Sequence, residues 1–477
     1  MKSKLTSISK NLFYSITLTA SNAGMNLLVW VIAPFFILPE EIGYSSLLLA
    51  FAFIIASLIE NSFSTAIITF KLSSRKSITP ILVLNLSIWL LSMIILLLLY
   101  KILKFNIGIY DVLIIALIPF ISSLNTIMEN FNRLRLHFKE NAHIETLANV
   151  FALMFYIWIL TCRNDYFPLL VFPFIKYLIV FILHLIFTLK KISPIDDQQR
   201  SFKDVFYFGL YILGEKIMTA CTSYADTFII SYQLSLKTLG IYELFKRILV
   251  RPIILLTSAV ENLALPYLSD LNKDASSFLS FYKPYIYGLS VLCFAMLGNI
   301  YLIKSLIFDI LPDSYTEYKS IFSWLIFYSI TLILLNPIDL ILYSSQKSKI
   351  FFIWNASYFS PLMLIVFFGA SYGILNMIAA TSAFYFLLFL VAQIFVMDRF
   401  THLSSNQFIK IGLRPLLLSI LAFFAAFLIH QIAILQTHIG RGVSLLTYNI
   451  MLLILLYLEK NMINDIRSLL VKTGTHG

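Results

Sequence analysis

Uninterrupted apolar runs of about 20 residues, the length a helix needs to cross the hydrocarbon core of a bilayer, follow one another along nearly the whole chain. They fall at residues 11–37, 42–70, 80–100, 108–128, 142–162, 168–189, 204–232, 240–268, 284–307, 319–343, 350–368, 374–397, 411–434 and 443–458. The 477 residues are 60% hydrophobic and only 12% charged, against roughly 25% charged in soluble domains. Mean hydropathy is +0.88. So much apolar chain exceeds what soluble cores bury. In lipid, spans of this length must satisfy their own backbone hydrogen bonds, which a helix does. The expected fold is an all-α polytopic membrane protein of about 14 transmembrane helices. The first span lacks a small-residue cleavage site after a short apolar core, so it reads as retained rather than as a signal peptide.

The connections are short. The segment KKISPIDDQQRSFK (190–203) is polar, contains Pro194 and follows the sixth span, which makes it the natural linker between two halves. The organisation expected is residues 1–190 with six spans, a cytoplasmic linker at 191–203, residues 204–400 with six more, and 401–477 with the last two spans and a tail. With a cytoplasmic N-terminus, 22 of the 35 Lys and Arg residues fall in inner segments and 6 in outer ones. By the positive-inside rule both termini are then cytoplasmic. The net charge of +11 is assigned to this asymmetry and to anionic phospholipids rather than to nucleic acid. Cys162, Cys221 and Cys293 are too widely spaced for a disulfide framework or a metal site. No phosphate-binding loop or cofactor motif occurs, and no constellation marks the chain as an enzyme.

Residues 204–268 depart from this apolar background. Two neighbouring spans carry Glu215, Lys216, Asp226, Lys246, Arg247, Arg251 and Glu261. An ionisable group at mid-bilayer costs on the order of 3 kcal/mol on the lenient insertion scale, and persists where it faces a bundle interior, a partner or a watery cavity. Glu215, Thr219, Thr222 and Asp226 fall on one helical stripe. Arg247, Arg251, Ser258 and Glu261 or Asn262 form another. Span one repeats the pattern with Ser15, Thr19, Asn22 and Asn26, and span two with Ser57, Glu60, Asn61 and Ser64. Most other spans read as apolar all round, with Lys176, Asp339 and His430 as isolated exceptions. Polar faces on these four helices suit a water-filled central cavity. Ser, Thr and Asn on such faces equally serve as interhelical hydrogen-bond glue. Asp226 and Arg247 lie at similar depth, so a closed ion pair is an alternative for them.

Well inside these spans Lys216, Lys246, Arg247 and Arg251 stand against Glu215, Asp226 and Glu261, with Glu243 near the outer end set to offset Lys246, and Lys176 of span six adds a further cation. An anionic ligand is therefore expected, and the guanidinium fork suits phosphate. Arg247, Arg251, Lys216, Lys176, Asn22, Asn26 and Asp226 are the candidate substrate-binding residues. Glu60, Glu215 and Glu261 are candidates for coupling to H+ or Na+, because a carboxylate in an apolar site can titrate near neutral pH. Pro34, Pro119, Pro173, Pro252, Pro337, Pro361 and Pro415 are expected to interrupt spans, with Pro252 a candidate hinge.

The halves share a faint pattern. Gly43-Tyr44 and Glu60-Asn61 in span two match Gly240-Ile241-Tyr242 and Glu261-Asn262 in span eight, with Gly-to-Glu spacings of 17 and 21. The difference is about one helical turn. Six spans per half would make these parallel repeats about an axis along the membrane normal.

The stretch ADTFIISYQLSLKTLGIYELFKRI followed by ENLALPYLSDL resembles the Wzx-type polysaccharide and O-antigen flippases of the multidrug/oligosaccharidyl-lipid/polysaccharide (MOP) exporter superfamily. Asp226, Gly240, Tyr242, Pro266 and Ser269 carry the likeness, and LPEEIGYSSLLLAFAFIIASLIENSFSTAI resembles the matching part of the first half. The resemblance implies two six-helix, MATE-like lobes, alternating access, and a bacterial inner-membrane location; the two C-terminal helices expected at 411–434 and 443–458 depart from the family's usual twelve spans. It also implies export of an undecaprenyl-pyrophosphate-linked repeat unit for O-antigen, lipopolysaccharide or a similar glycan, alongside polymerase and chain-length proteins. Two readings compete with it. A drug/cation antiporter of the same fold predicts a more acidic cavity. A membrane polysaccharide polymerase or ligase predicts a large outer loop, and no outer loop here exceeds about a dozen residues.

Overall fold

A computed structural model describes residues 18, 21–62, 64, 67, 75–103, 108–135, 137–187, 202–271, 275–344, 348–392, 405–430 and 438–458. The side chains of Asn61, Glu215, Glu261, Asn262, Pro266, Ser269, Asp339 and His430 lie outside the described set, as do Ser15, Thr19 and residues 188–201. Among the described residues there is no strand. The protein is an all-α polytopic membrane protein, as its apolar periodicity requires.

The long helices of the first half are α1 (Ser21–Phe35), α2 (Pro39–Ser62), α3 (Arg75–Leu103), α4 (Ile109–Leu134), α5 (Phe138–Cys162), α6 (Phe167–Phe187) and α7 (Phe202–Gln233). Those of the second are α8 (Leu236–Leu271), α9 (Ala275–Leu302), α10 (Lys319–Ser344), α11 (Ser348–Ser371), α12 (Ile374–Ala392), α13 (Ser405–His430) and α14 (His438–Leu458). Eight described helices are long and apolar enough to cross a membrane. The charged helices α7 and α8 are not among them. They are instead the longest, at 32 and 36 residues, or about 48 and 54 Å at 1.5 Å per residue, so each outruns the hydrocarbon layer.

The prolines do not break these helices, contrary to the expectation from sequence. Pro119, Pro173, Pro337 and Pro361 lie inside α4, α6, α10 and α11, and α8 is helical through Pro252. Neighbouring helices satisfy the backbone groups that a proline disturbs. The Trp89 indole N–H of α3 donates to the Ala116 carbonyl at 2.8 Å, one residue after the Ile115 carbonyl that Pro119 leaves without its helical donor. Pro34 is the exception, since α1 ends there in a 3-10 turn, Ala33–Phe35.

The chain divides into two compact units, Ser9–Leu244 and Phe245–Gly477, with the boundary inside α8. In the first unit α2 is central and packs on α4 and α7. Phe51 meets Phe228 edge-on at 4.7 Å. The start of α2 also lies against the start of α8 through their two glycines. A Cβ on Gly43 would overlap the Leu236 carbonyl, and a Cβ on Gly240 would overlap the Pro39 carbonyl. Each glycine thus accepts the residue four positions before the other, a reciprocal contact of the kind a twofold axis generates. At one end of this unit the Tyr166 hydroxyl donates to Asp111 at 2.8 Å, and the Tyr166 amide to Glu41 at 3.1 Å. Burial and the Asp111 carboxylate push the Tyr166 hydroxyl above its ordinary range, so it stays a donor.

In the second unit α10 and α11 pack on α12, and α9 packs on α13 and α14. The rings of Phe245, Phe308 and Phe322 meet edge-on around α8, with centroids 5.4–5.6 Å apart. The C-terminal pair is docked by specific groups. The Tyr448 hydroxyl fills the notch left by Gly298, where a Cβ would collide with it. The same hydroxyl lies 2.6 Å from Ser419 Oγ and donates to the Phe294 carbonyl at 3.2 Å. Asn299 and Asn449 exchange side-chain amide hydrogen bonds of 3.2 and 2.8 Å.

Candidate functional site

The first unit contains a buried polar network that spans α1, α2, α4, α5 and α6. It follows from helical spacing. On α5, Asn141, Glu145 and Asn149 recur every four residues; on α4, Ser122, Asn125, Glu129 and Asn132 recur at steps of three and four. Both stripes therefore face inward on single helix faces.

Lys176 of α6 is at the middle of this network. Its ammonium lies 3.2 Å from Glu145 Oε2, with both side chains almost enclosed, and donates to Asn22 Oδ1 at 3.1 Å. Asn149, fully buried, donates to the same Asn22 oxygen at 2.6 Å. Its own Oδ1 is buried and accepts no hydrogen bond among the described residues. Glu60 of α2 is hydrogen-bonded to Ser122 and lies within the electrostatic reach of Glu129, Lys176 and Glu145. Deeper along α4, Asn130 donates to the Ser64 carbonyl at 3.0 Å, and Asn85 of α3 donates to Ser64 Oγ at 3.1 Å. Asn141 donates to the Glu129 carbonyl and accepts from Asn132 at 2.7 Å.

The candidates named from sequence are distributed unevenly. Asn22 and Lys176 are in direct contact, with Glu60 in the same network. Asn26 is exposed and donates back to the Asn22 carbonyl of its own helix at 2.7 Å. Asp226 accepts from the Tyr242 hydroxyl at 2.6 Å and from the Thr227 amide at 2.9 Å, while Thr227 donates to the buried Glu243 at 2.8 Å. This ties α7 to the first turns of α8. Lys216 is half-buried on α7, in the first unit. Arg247 and Arg251 are half-buried on α8, in the second. The side chains of Glu215 and Glu261 are outside the described residues.

Reading α4, α5 and α6 as apolar apart from Lys176 missed most of this network. Its members stand as Asn and Glu at helical spacing near the ends of apolar runs, where they resemble loop residues. The repeat of four from Asn141 to Asn149 was the signal that distinguishes them.

Comparison with known proteins adds an independent line. The family model described as polysaccharide biosynthesis protein matches residues 35–320. No curated protein sequence gives a significant match. Among solved structures, the lipid II flippase MurJ in an inward closed conformation superposes with a TM-score of 0.67 at 14% identity, covering 93% of this chain and 97% of that one. An inward-facing multidrug resistance transporter of the MATE family gives 0.51 at 13% identity, over 79% of this chain and 92% of that one. A MOP superfamily transporter from Pyrococcus furiosus gives 0.52 at 11% identity, over 86% and 96%. At these identities the likeness is one of fold.

Proposed function

This chain belongs to the polysaccharide biosynthesis protein family, and from that membership we propose that it is a flippase for an undecaprenyl-pyrophosphate-linked oligosaccharide. The cargo would be a repeat unit of O-antigen or a similar polysaccharide, carried across the bacterial inner membrane by alternating access. The observation that carries the proposal is the family match itself, because residues 35–320 include α7 and α8, where the charges are concentrated.

In this reading residues 1–190 and 204–400 act as two lobes, joined by a cytoplasmic linker, with both termini cytoplasmic. Arg247 and Arg251 hold the pyrophosphate through bidentate hydrogen bonds. Lys216, Asn22, Asn26 and Asp226 supply further polar contacts. Lys176 is neutralised by Glu145, so the anion-binding role falls first on the two arginines. Glu60, Glu215 and Glu261 are the candidates for coupling to H+ or Na+ movement.

The test is replacement of both arginines, Arg247→Ala with Arg251→Ala. Surface glycan is expected to fall at least tenfold while the lipid-linked unit accumulates on the cytoplasmic face. Undiminished surface glycan in a stably expressed double variant would remove the arginines from the mechanism. Uptake assayed in vesicles under imposed proton and sodium gradients tests the carboxylates. Transport indifferent to both gradients would exclude them from coupling.

A further inference from the structure

The second unit holds a cavity of about 240 Å3. Thr257 and Ser258 of α8, Asn336 of α10, Trp354 and Tyr358 of α11 and Tyr385 of α12 line it together with aliphatic side chains. All belong to Phe245–Gly477, so the cavity is complete within one unit.

Its chemistry is unlike that of a packing defect between apolar helices. Three rings with polar edges border it, and their orientations are set by neighbours. Trp354 and Tyr358 meet edge-on at 5.8 Å, Tyr358 donates to Asn355 Oδ1 at 2.6 Å, and Tyr385 packs on Tyr328 at 5.7 Å. Asn336 brings an amide and Ser258 a hydroxyl, while the Thr257 hydroxyl donates to the Ile254 carbonyl of its own helix at 2.9 Å and offers only its lone pairs. Aromatic faces carry partial negative charge and attract the polarised C–H faces of a sugar ring, while amides and hydroxyls match its hydroxyl rim. None of the described lining residues is a carboxylate; aromatic faces alone also attract an organic cation, and the amide and hydroxyl groups beside them are what favour a hydroxyl-rich ring. The volume is below the roughly 300–1,000 Å3 of sites that enclose drug-sized molecules, and suits a single ring.

We propose that this cavity is a saccharide subsite that receives one pyranose unit of the cargo. The assignment rests on the lipid-linked oligosaccharide reading. It adds a direction to it, because Arg251 and Ser258 are seven residues apart on α8, two turns or about 10 Å along one stripe. A pyrophosphate on Arg251 therefore sets the sugar next to it at the level of the cavity. With cytoplasmic termini, the lining stretches of all four helices fall in the central-to-cytoplasmic part of their spans. The subsite then reads the sugar on the side from which the cargo enters.

The experiment uses the full chain in lipid nanodiscs and saturation-transfer NMR. The probes are methyl glycosides of glucose, galactose, rhamnose and N-acetylglucosamine, with tetraphenylphosphonium as a cationic control. At least one glycoside is expected to show saturation of its ring C–H protons, reduced at least fivefold in Trp354→Leu and in Tyr385→Leu. Trp354→Phe keeps a stacking face and is expected to retain the signal within twofold, which separates loss of the subsite from loss of fold. Saturation of none of the glycosides, saturation unchanged in both Leu variants, or saturation of tetraphenylphosphonium alone would overturn the proposal. A second arm measures binding of undecaprenyl phosphate, which carries no sugar. Binding there that depends on Arg251 but not Trp354, with no glycoside signal, refutes the subsite and spares the flippase reading. Trp354-dependent glycoside binding without any binding of undecaprenyl phosphate keeps the subsite and refutes the lipid-linked cargo.

Discussion

Lys176 shows how one residue can read differently in sequence and in the folded chain. As a lone cation in an apolar span it suggests a ligand-binding charge. In the structure it is matched by Glu145 and by the Asn22 oxygen that Asn149 also engages. A buried ion pair adds little net stability, yet breaking it strands the surviving charge, which costs about 3–5 kcal/mol. Lys176→Met and Glu145→Gln are each expected to lower the unfolding temperature sharply in detergent. The double variant, with no stranded charge, is expected to recover most of the loss. A double variant as unstable as the sum of the two singles would show that the residues act independently. Glu145 and Asn149 were legible only as a spacing of four; that they meet Lys176 depends on α5 and α6 packing together.

The glycine pair links residues to elements. Gly43 and Gly240 let the starts of α2 and α8 approach to backbone contact, which an added methyl group forbids. Gly43→Ala and Gly240→Ala are each expected to destabilise the first unit by roughly 1–3 kcal/mol, the usual cost of overpacking, and to do so about equally because the contact is reciprocal. Thermal unfolding followed by tryptophan fluorescence would check this; a neutral Gly43→Ala would mean that the helix starts separate at no cost. The C-terminal helices are held by polar groups of a different kind. Asn449→Leu removes the exchange of amide hydrogen bonds with Asn299 and is expected to cost about 1–2 kcal/mol, the scale of interhelical polar contacts in lipid. Cysteine cross-linking between α9 and α14 should become slower or less specific in that variant. Unaltered stability and cross-linking would mean that the Tyr448–Ser419–Gly298 junction alone docks α14.

For the molecule as a whole, the spacing of apolar runs and the unequal distribution of Lys and Arg lead to one topological expectation. Reporters active only outside the cytoplasm are expected to be silent at either terminus and active when inserted between α9 and α10, near Pro312. A signal at the termini would invert every statement about sidedness, including the face from which the saccharide subsite is filled. The boundary between the two compact units falls inside α8, between Leu244 and Phe245, a few residues before Arg247 and Arg251. A rigid substitution there is a test of whether α8 transmits motion. Pro252→Ala restores the backbone donor that proline lacks and is expected to leave folding intact and to slow transport; full transport would dismiss Pro252 as a hinge.

Sequence alone determined the helical, membrane-spanning class and the helices that carry charge. These follow from local quantities: run length against bilayer thickness, periodicity of 3.6 residues and the cost of a charge in lipid. It also marked the Gly-Tyr and Glu-Asn echoes between the halves. Only the tertiary structure decided which partners those residues find. The reciprocal seat of Gly43 and Gly240, the capture of Lys176 by Glu145 and the aromatic cavity around Trp354 each join residues from different helices. No local pattern encodes such contacts, because the face a helix presents is set in the sequence while the neighbour that receives it is chosen by packing.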